Sequence, residues 1–163
     1  MMISTALAKA ISTQIGNEFA AGLQYYAIAA HFQRAHLMQL AKLFFAQAKE
    51  EHEHAEKLLH YVLDTGGALE IPAVRAPVPT FATAEAAVEA ALAWELEVTG
   101  QIKGLMDLAA DERDYLAQNF LQWFIDEQLE EVTKMERLLS VIRMSGDRNL
   151  IMVEAYLVHG SNN

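Results

Sequence analysis

Four long stretches of this chain carry their apolar residues at steps of three and four, the period of an amphipathic helix. From residue 4 to about 34 the stripe is Leu7, Ile11, Ile15, Glu18, Gly22, Tyr25, Ala29 and Phe32. From about 38 to 65 it is Leu40, Phe44, Gln47, Glu51, His54, Leu58 and Tyr61. From about 84 to 110 it is Val88, Ala91, Glu95, Val98, Ile102, Leu105 and Ala109. From about 114 to 144 it is Ala117, Leu121, Phe124, Gln128, Glu131, Met135, Leu138 and Ile142. Four helices of similar length, each with one apolar face, bury those faces only against one another, which predicts an all-α four-helix bundle. Three prolines and eight glycines in 163 residues leave few places where such helices would be interrupted.

The connections fix the topology. The first and second helices are joined by a short turn, as are the third and fourth, so each pair is expected to run antiparallel. Gly66-Gly67 stops the second helix, Thr83 caps the third, Asp111 is the candidate cap of the fourth, and Gly146 follows its end. The segment 67–83 holds all three prolines, Pro72, Pro77 and Pro79, and shows no helical period. Fully extended it spans ~55 Å, more than the ~40 Å of the second helix, so it can cross the bundle lengthwise and start the third helix parallel to the second. A fifth segment, about 149–159, is short and apolar on nearly every side (Leu150, Ile151, Met152, Val153, Tyr156, Leu157 and Val158), so it is expected to be covered by its own bundle or by other subunits. The whole of 1–163 reads as one domain.

Composition removes several functions. The chain has no cysteine, which excludes disulfides, thiolate metal sites and cysteine nucleophiles. With 12 basic and 22 acidic residues the net charge is −10, which disfavours nucleic acid and anionic membranes and favours cations. The N-terminal residues lack the pattern of a signal peptide and no run is apolar enough to span a bilayer, so a cytoplasmic location is expected.

The apolar stripes are interrupted near mid-helix in every case: Glu18, Glu51 with His54, Glu95, and Gln128 with Glu131. Folding the bundle brings these positions to one depth. Burying even one unpaired carboxylate costs several kcal/mol. No Lys or Arg occupies the middle of any stripe, so the compensating charge is expected from outside. Two divalent metal ions would match four carboxylates. Oxygen ligands with one imidazole and no sulfur suit iron, manganese or zinc better than copper, and Glu51-x-x-His54 sets two ligands one turn apart on one face. Read alone, Glu-x-x-His within the charged run 49–57 could be a solvated face, but Glu51 and His54 lie on the apolar side. Glu50, Glu127 and Glu130 lie one position off the stripes. Setting these seven acids aside leaves 15 acids against 12 bases, so most of the negative excess belongs to this region.

At these residues the chain resembles the bacterial non-haem ferritins, in the ferritin-like di-iron family. The segments that carry the resemblance are Asn17-Glu18-Phe19 with Tyr25, 50–54 (EEHEH), Trp94-Glu95, and 119–131 (NFLQWFIDEQLEE). The resemblance implies a ferroxidase centre that oxidises Fe(II) with dioxygen or hydrogen peroxide. Glu18, Glu51 and His54 would hold one iron. Glu51 would bridge to a second, held with Glu95 and Glu131. Glu50, Glu127, Glu130 and Glu131 would form a third site on the inner surface. Gln128 would lie beside the centre, with Tyr25 and Trp123 as neighbouring aromatics. The resemblance further implies a shell of twenty-four subunits that stores ferric mineral, with the fifth helix lining its channels. Bacterioferritin, the haem-binding relative, has a methionine where this chain has His52 and a histidine where it has Glu131, so no haem is expected. Two other functions fit the same residues: a di-iron peroxidase or oxygenase that stores no mineral, and an assembly whose acids only bind cations.

Overall fold

A computed structural model describes residues 2–160, and among them there are helices and no strand. The elements are α1 (Thr5–Arg34), α2 (Met38–Asp64), α3 (Ala84–Asp111), α4 (Tyr115–Ser145), a 3-10 turn (Asp147–Asn149) and α5 (Leu150–Gly160). The four long helices form an antiparallel bundle with one crossover. Ser4 at the start of α1 bonds Glu112 at the end of α3, and Arg143 near the end of α4 pairs with Glu85 and Glu89 at the start of α3. Tyr61 stacks on Phe120 while Gln47 meets Glu131, so α2 and α4 also oppose each other. Helices α2 and α3 therefore run parallel, and the strap between them travels the length of the bundle.

The strap lies on α1. The Gln24 amide donates to the Val78 carbonyl and accepts from the Val78 N–H, so the side chain replaces a strand partner. Ser12 Oγ accepts from the Glu70 N–H. Pro72 lies so close to Gly16 that a Cβ there would be 2.4 Å from the ring, and only glycine admits the contact.

Three helix ends share one geometry. After α2, Gly66 takes φ 75°, its N–H bonds the Leu63 carbonyl, and the Gly67 N–H bonds Val62. This pairing satisfies carbonyls that the helix end would leave bare. The same pattern ends α1 at His36 (φ 59°) and α3 at Arg113 (φ 56°), where no glycine announces it. Thr83 caps α3 as expected, accepting from the Ala86 N–H. The α4 cap differs from the expectation. Asp111 is the last residue of α3, and Asp114 accepts from the Ala117 N–H instead. The left-handed turn at Arg113 consumes the intervening residues, so the second aspartate reaches the cap position.

Helix α5 docks through Val153, which is fully buried, and through Glu154, whose carboxylate accepts from the N–H groups of Gln39 and Leu40. That carboxylate substitutes for a side-chain cap, which α2 lacks at Leu37, and a negative charge suits a helix N-terminus. Ile151, Met152, Tyr156 and Val158 stay exposed, so the bundle covers only one side of α5. No helix among the described residues is long and apolar enough to cross a membrane.

The interior is two apolar clusters, not one. One runs from Ala21, Tyr25 and Phe32 through Phe44 to Met135 and Ile142. The other runs from Leu7 and Ile15 through Leu58 and Ile102 to Leu121 and Phe124. Between them lies a layer of buried polar side chains.

Candidate metal centre

That layer contains Glu18, Glu51, His54, Glu95, Gln128 and Glu131, none more than 5% exposed. The five stripe interruptions with ligand chemistry and the glutamine are thus all inside. Glu18, Glu51 and His54 each present one ligand atom within 4.8 Å of the others. His54 Nδ1 lies 3.4 Å from Glu51 Oε2, as the one-turn spacing requires. Glu18 Oε2 is buried and meets no N–H or hydroxyl donor; the group beside it is the Glu51 carboxyl, so the pair needs either a shared proton or a cation.

The remaining carboxylate oxygens are oriented from several helices. Gln14, one turn before Glu18, donates to Glu18 Oε1 at 2.9 Å, and Asn17 in turn donates to Gln14. Gln47 Nε2 donates to both Glu51 Oε1 (3.2 Å) and Glu131 Oε2 (2.6 Å), joining α2 to α4. The Tyr25 hydroxyl donates to Glu95 Oε1. The Gln128 amide donates to Glu95 Oε2 at 3.1 Å and also meets Thr99 Oγ1. His54 packs edge-on against Trp123, whose ring carries the Lys57 ammonium 3.9 Å from its centroid. Trp123 itself is partly exposed.

Electrostatics agree with an unmet demand for positive charge. Burial, reinforced by the neighbouring Glu51, raises the Glu18 carboxyl well above its ordinary value. Burial and Glu95 do the same to Glu51. Glu95 is pushed up to about 7, again by burial, although the Tyr25 hydroxyl opposes the rise. Burial also raises Glu131, against the pull of Lys134. The Tyr25 hydroxyl is driven well up by burial and by Glu95, so it stays a donor. Without a metal the layer must hold protons, because desolvation and like charge both penalise the ionised forms.

Contrary to the expectation from the stripes, the compensating charge is not wholly external, because Lys134 reaches in beside Glu131 from the flank of α4. Its ammonium lies 3.0 and 3.1 Å from the two Glu131 oxygens, 3.0 Å from Gln47 Oε1 and 3.5 Å from Glu50 Oε2. The helical period marks only residues on the buried face, and Lys134 arrives from one turn beyond it. Gln14 and Gln47 act as orienting groups that the stripes do not single out, although Gln47 sits in the α2 stripe and Gln14 stands four residues before Glu18. The outlying acids form no such layer. Glu50 is half-buried and paired with Lys134, Glu127 is half-buried and Glu130 is exposed. Neither Glu127 nor Glu130 makes a hydrogen bond or ion pair with another described residue. His52 lies apart, hydrogen-bonded to the Ala48 carbonyl and packed edge-on against Phe19 and Tyr26.

Residues 8–145 match the family described as a ferritin-like domain. Ferritin BfrB of Mycolicibacterium smegmatis is 44% identical over 147 residues, covering 90% of this chain and 81% of that protein. The bacterial non-heme ferritin of Staphylococcus aureus is 34% identical over 146 residues, covering 90% of this chain and 88% of that one. The open pore ferritin from the hyperthermophilic archaeon Archaeoglobus fulgidus superposes with a TM-score of 0.92 at 30% identity, covering 96% of each chain.

Proposed function

The chain belongs to the ferritin family, and from that premise we propose that it is an iron-storage protein with ferroxidase activity. It oxidises Fe(II) to Fe(III) with dioxygen or hydrogen peroxide and stores the product as ferric mineral inside a shell of twenty-four copies in the cytoplasm. The observation that carries the reading is the buried group Glu18, Glu51 and His54, with its ligand atoms within 4.8 Å of one another and one carboxylate oxygen lacking an N–H or hydroxyl donor.

Iron is the substrate. Glu18, Glu51 and His54 are the ligands of one Fe(II), and Glu51, Glu95 and Glu131 those of a second. Two Fe(II) give one electron each. Together they supply the two electrons that, with two protons, take dioxygen to hydrogen peroxide or hydrogen peroxide to water. The chain provides charge, spacing and orientation. Hard carboxylate oxygens favour the ferric state over the ferrous. The amides of Gln14 and Gln47 hold Glu18 and Glu51 in their rotamers. The Tyr25 hydroxyl and the Gln128 amide hold Glu95. The protons on the raised carboxyls leave as metal arrives, so binding releases acid. Glu50, Glu127 and Glu130 offer oxygen ligands on the way from the centre to the inner surface.

The test is aerobic Fe(II) addition to metal-stripped protein, followed by size-exclusion chromatography. The proposal expects a particle of twenty-four 18.1-kDa subunits that accumulates far more than two irons per subunit. A small oligomer that stops at two irons would instead indicate a di-iron enzyme without storage. A shell that takes up iron without consuming an oxidant would indicate passive cation binding. Replacing two ligands, Glu51→Ala with His54→Ala, is expected to slow initial oxidation by at least roughly 100-fold with helix content unchanged. A double variant that oxidises at the parent rate places the centre elsewhere.

A further inference from the structure

The two ends of the buried layer are not equivalent. At one end Glu18 Oε2 meets no N–H or hydroxyl donor. At the other, both Glu131 oxygens already face protein donors, the Lys134 ammonium at 3.0 and 3.1 Å and the Gln47 amide at 2.6 Å. An ammonium has three N–H groups and no acceptor, and the contacts to Glu131, Gln47 and Glu50 occupy them. Glu131 is therefore closed by a tethered charge, whereas the Glu18–Glu51–His54 group is open.

The charges give the same asymmetry. The layer's four carboxylates and the adjoining Glu50 bring −5, and a seated Lys134 reduces this to −4, which two divalent ions balance overall. The conflict is local: a divalent ion at Glu131 lies beside the Lys134 ammonium, and the two positive charges repel unless the ammonium withdraws. Withdrawal has somewhere to go. The Lys134 side chain is 39% exposed and borders a cavity of about 670 Å³ shared with Glu50, Glu130 and Tyr156. Its flexible stem lets the head leave while the helix stays fixed.

We propose that Lys134 is a displaceable internal cation that competes with the second metal ion for Glu131, so that the two metal positions fill in order, Glu18–Glu51–His54 first. The inference rests on the reading of the layer as a two-metal site. Lys134 is a positioning residue in it: it sets how readily Glu131 turns to a metal.

The experiment titrates metal-stripped, assembled protein with Zn(II) alone by calorimetry under anaerobic conditions. Wild type, with Glu127→Gln and Glu130→Gln in every protein compared so that the outlying acids do not contribute, is expected to show two equivalents with the second at least roughly tenfold weaker. Lys134→Met and Lys134→Gln remove the competing charge and are expected to tighten the second equivalent at least tenfold while leaving the first unchanged. Lys134→Arg keeps a cation there and is expected to restore the wild-type gap. A merely structural role would weaken both equivalents in Lys134→Met and Lys134→Gln, which overturns the inference. A second equivalent that does not respond to either neutral variant also overturns it while leaving the two-metal reading intact. If no variant, nor wild type, binds Zn(II) more tightly than the Glu51→Ala, His54→Ala protein, both readings fall together.

Discussion

Glu95→Gln isolates the cost that the buried layer imposes on the metal-free protein. The Glu95 carboxyl is 1% exposed and is pushed up to about 7 from 4.5, chiefly by burial. A carboxyl with a raised folded value binds its proton more firmly in the folded state, so folding loses stability as pH rises. The penalty is absent below 4.5, accumulates between 4.5 and about 7, and is complete above that. It amounts to about 1 kcal/mol near pH 5.5 and about 3 kcal/mol near pH 8.5. Glutamine keeps an acceptor for the Tyr25 hydroxyl and removes the charge. The variant is therefore expected to exceed wild type by about 2 kcal/mol more at the higher pH, about 5 °C in Tm for a chain of this length. Thermal unfolding of chelator-treated wild type and variant at the two pH values measures it. With Zn(II) present the order is expected to reverse, because the ion stabilises only a folded protein that binds it. A Tm difference that is equal at both pH values refutes the claim that Glu95 is held in an environment hostile to its charge.

Three further outcomes follow from the packing. Gly16→Val drives a side chain into Pro72, where even a Cβ would lie 2.4 Å from the ring, and is expected to cost about 1–3 kcal/mol in a denaturant melt. His36→Gly and Arg113→Gly relieve left-handed backbone at φ 59° and 56°, so each is expected to raise stability by roughly 0.5–1 kcal/mol in the same assay. Glu154→Ala leaves the Gln39 and Leu40 N–H groups without their acceptor. Faster hydrogen exchange at those two amides and earlier proteolysis within α5 are expected, with a cost of about 1 kcal/mol.

Much of the fold is legible because period and chemistry agree along the chain. The stripes place all four long helices within a residue of their observed ends, and Gly66 and Thr83 mark boundaries through a left-handed turn and a hydroxyl cap. The polar interruptions are equally clear, since a carboxylate on an apolar face has no cheap structural explanation. What escapes is set by tertiary geometry. His36 and Arg113 adopt left-handed backbone because the short turns demand it, against their own preference. Asp111 and Asp114 are both competent caps, and only the turn between them decides which is used. Lys134 escapes because a long side chain on a helix flank folds back to a buried partner one turn away, which no same-face pattern registers. The docking of α5 through Glu154 joins residues over a hundred positions apart and has no local signal.

The most direct test of the central claim is a crystal of the assembled protein grown without metal, soaked anaerobically in Fe(II), and read by anomalous scattering at the iron edge. The account predicts two peaks per subunit inside the bundle, one among Glu18, Glu51 and His54 and one among Glu51, Glu95 and Glu131. Iron bound only at exposed acids, with the buried layer keeping its metal-free hydrogen bonds, would contradict it.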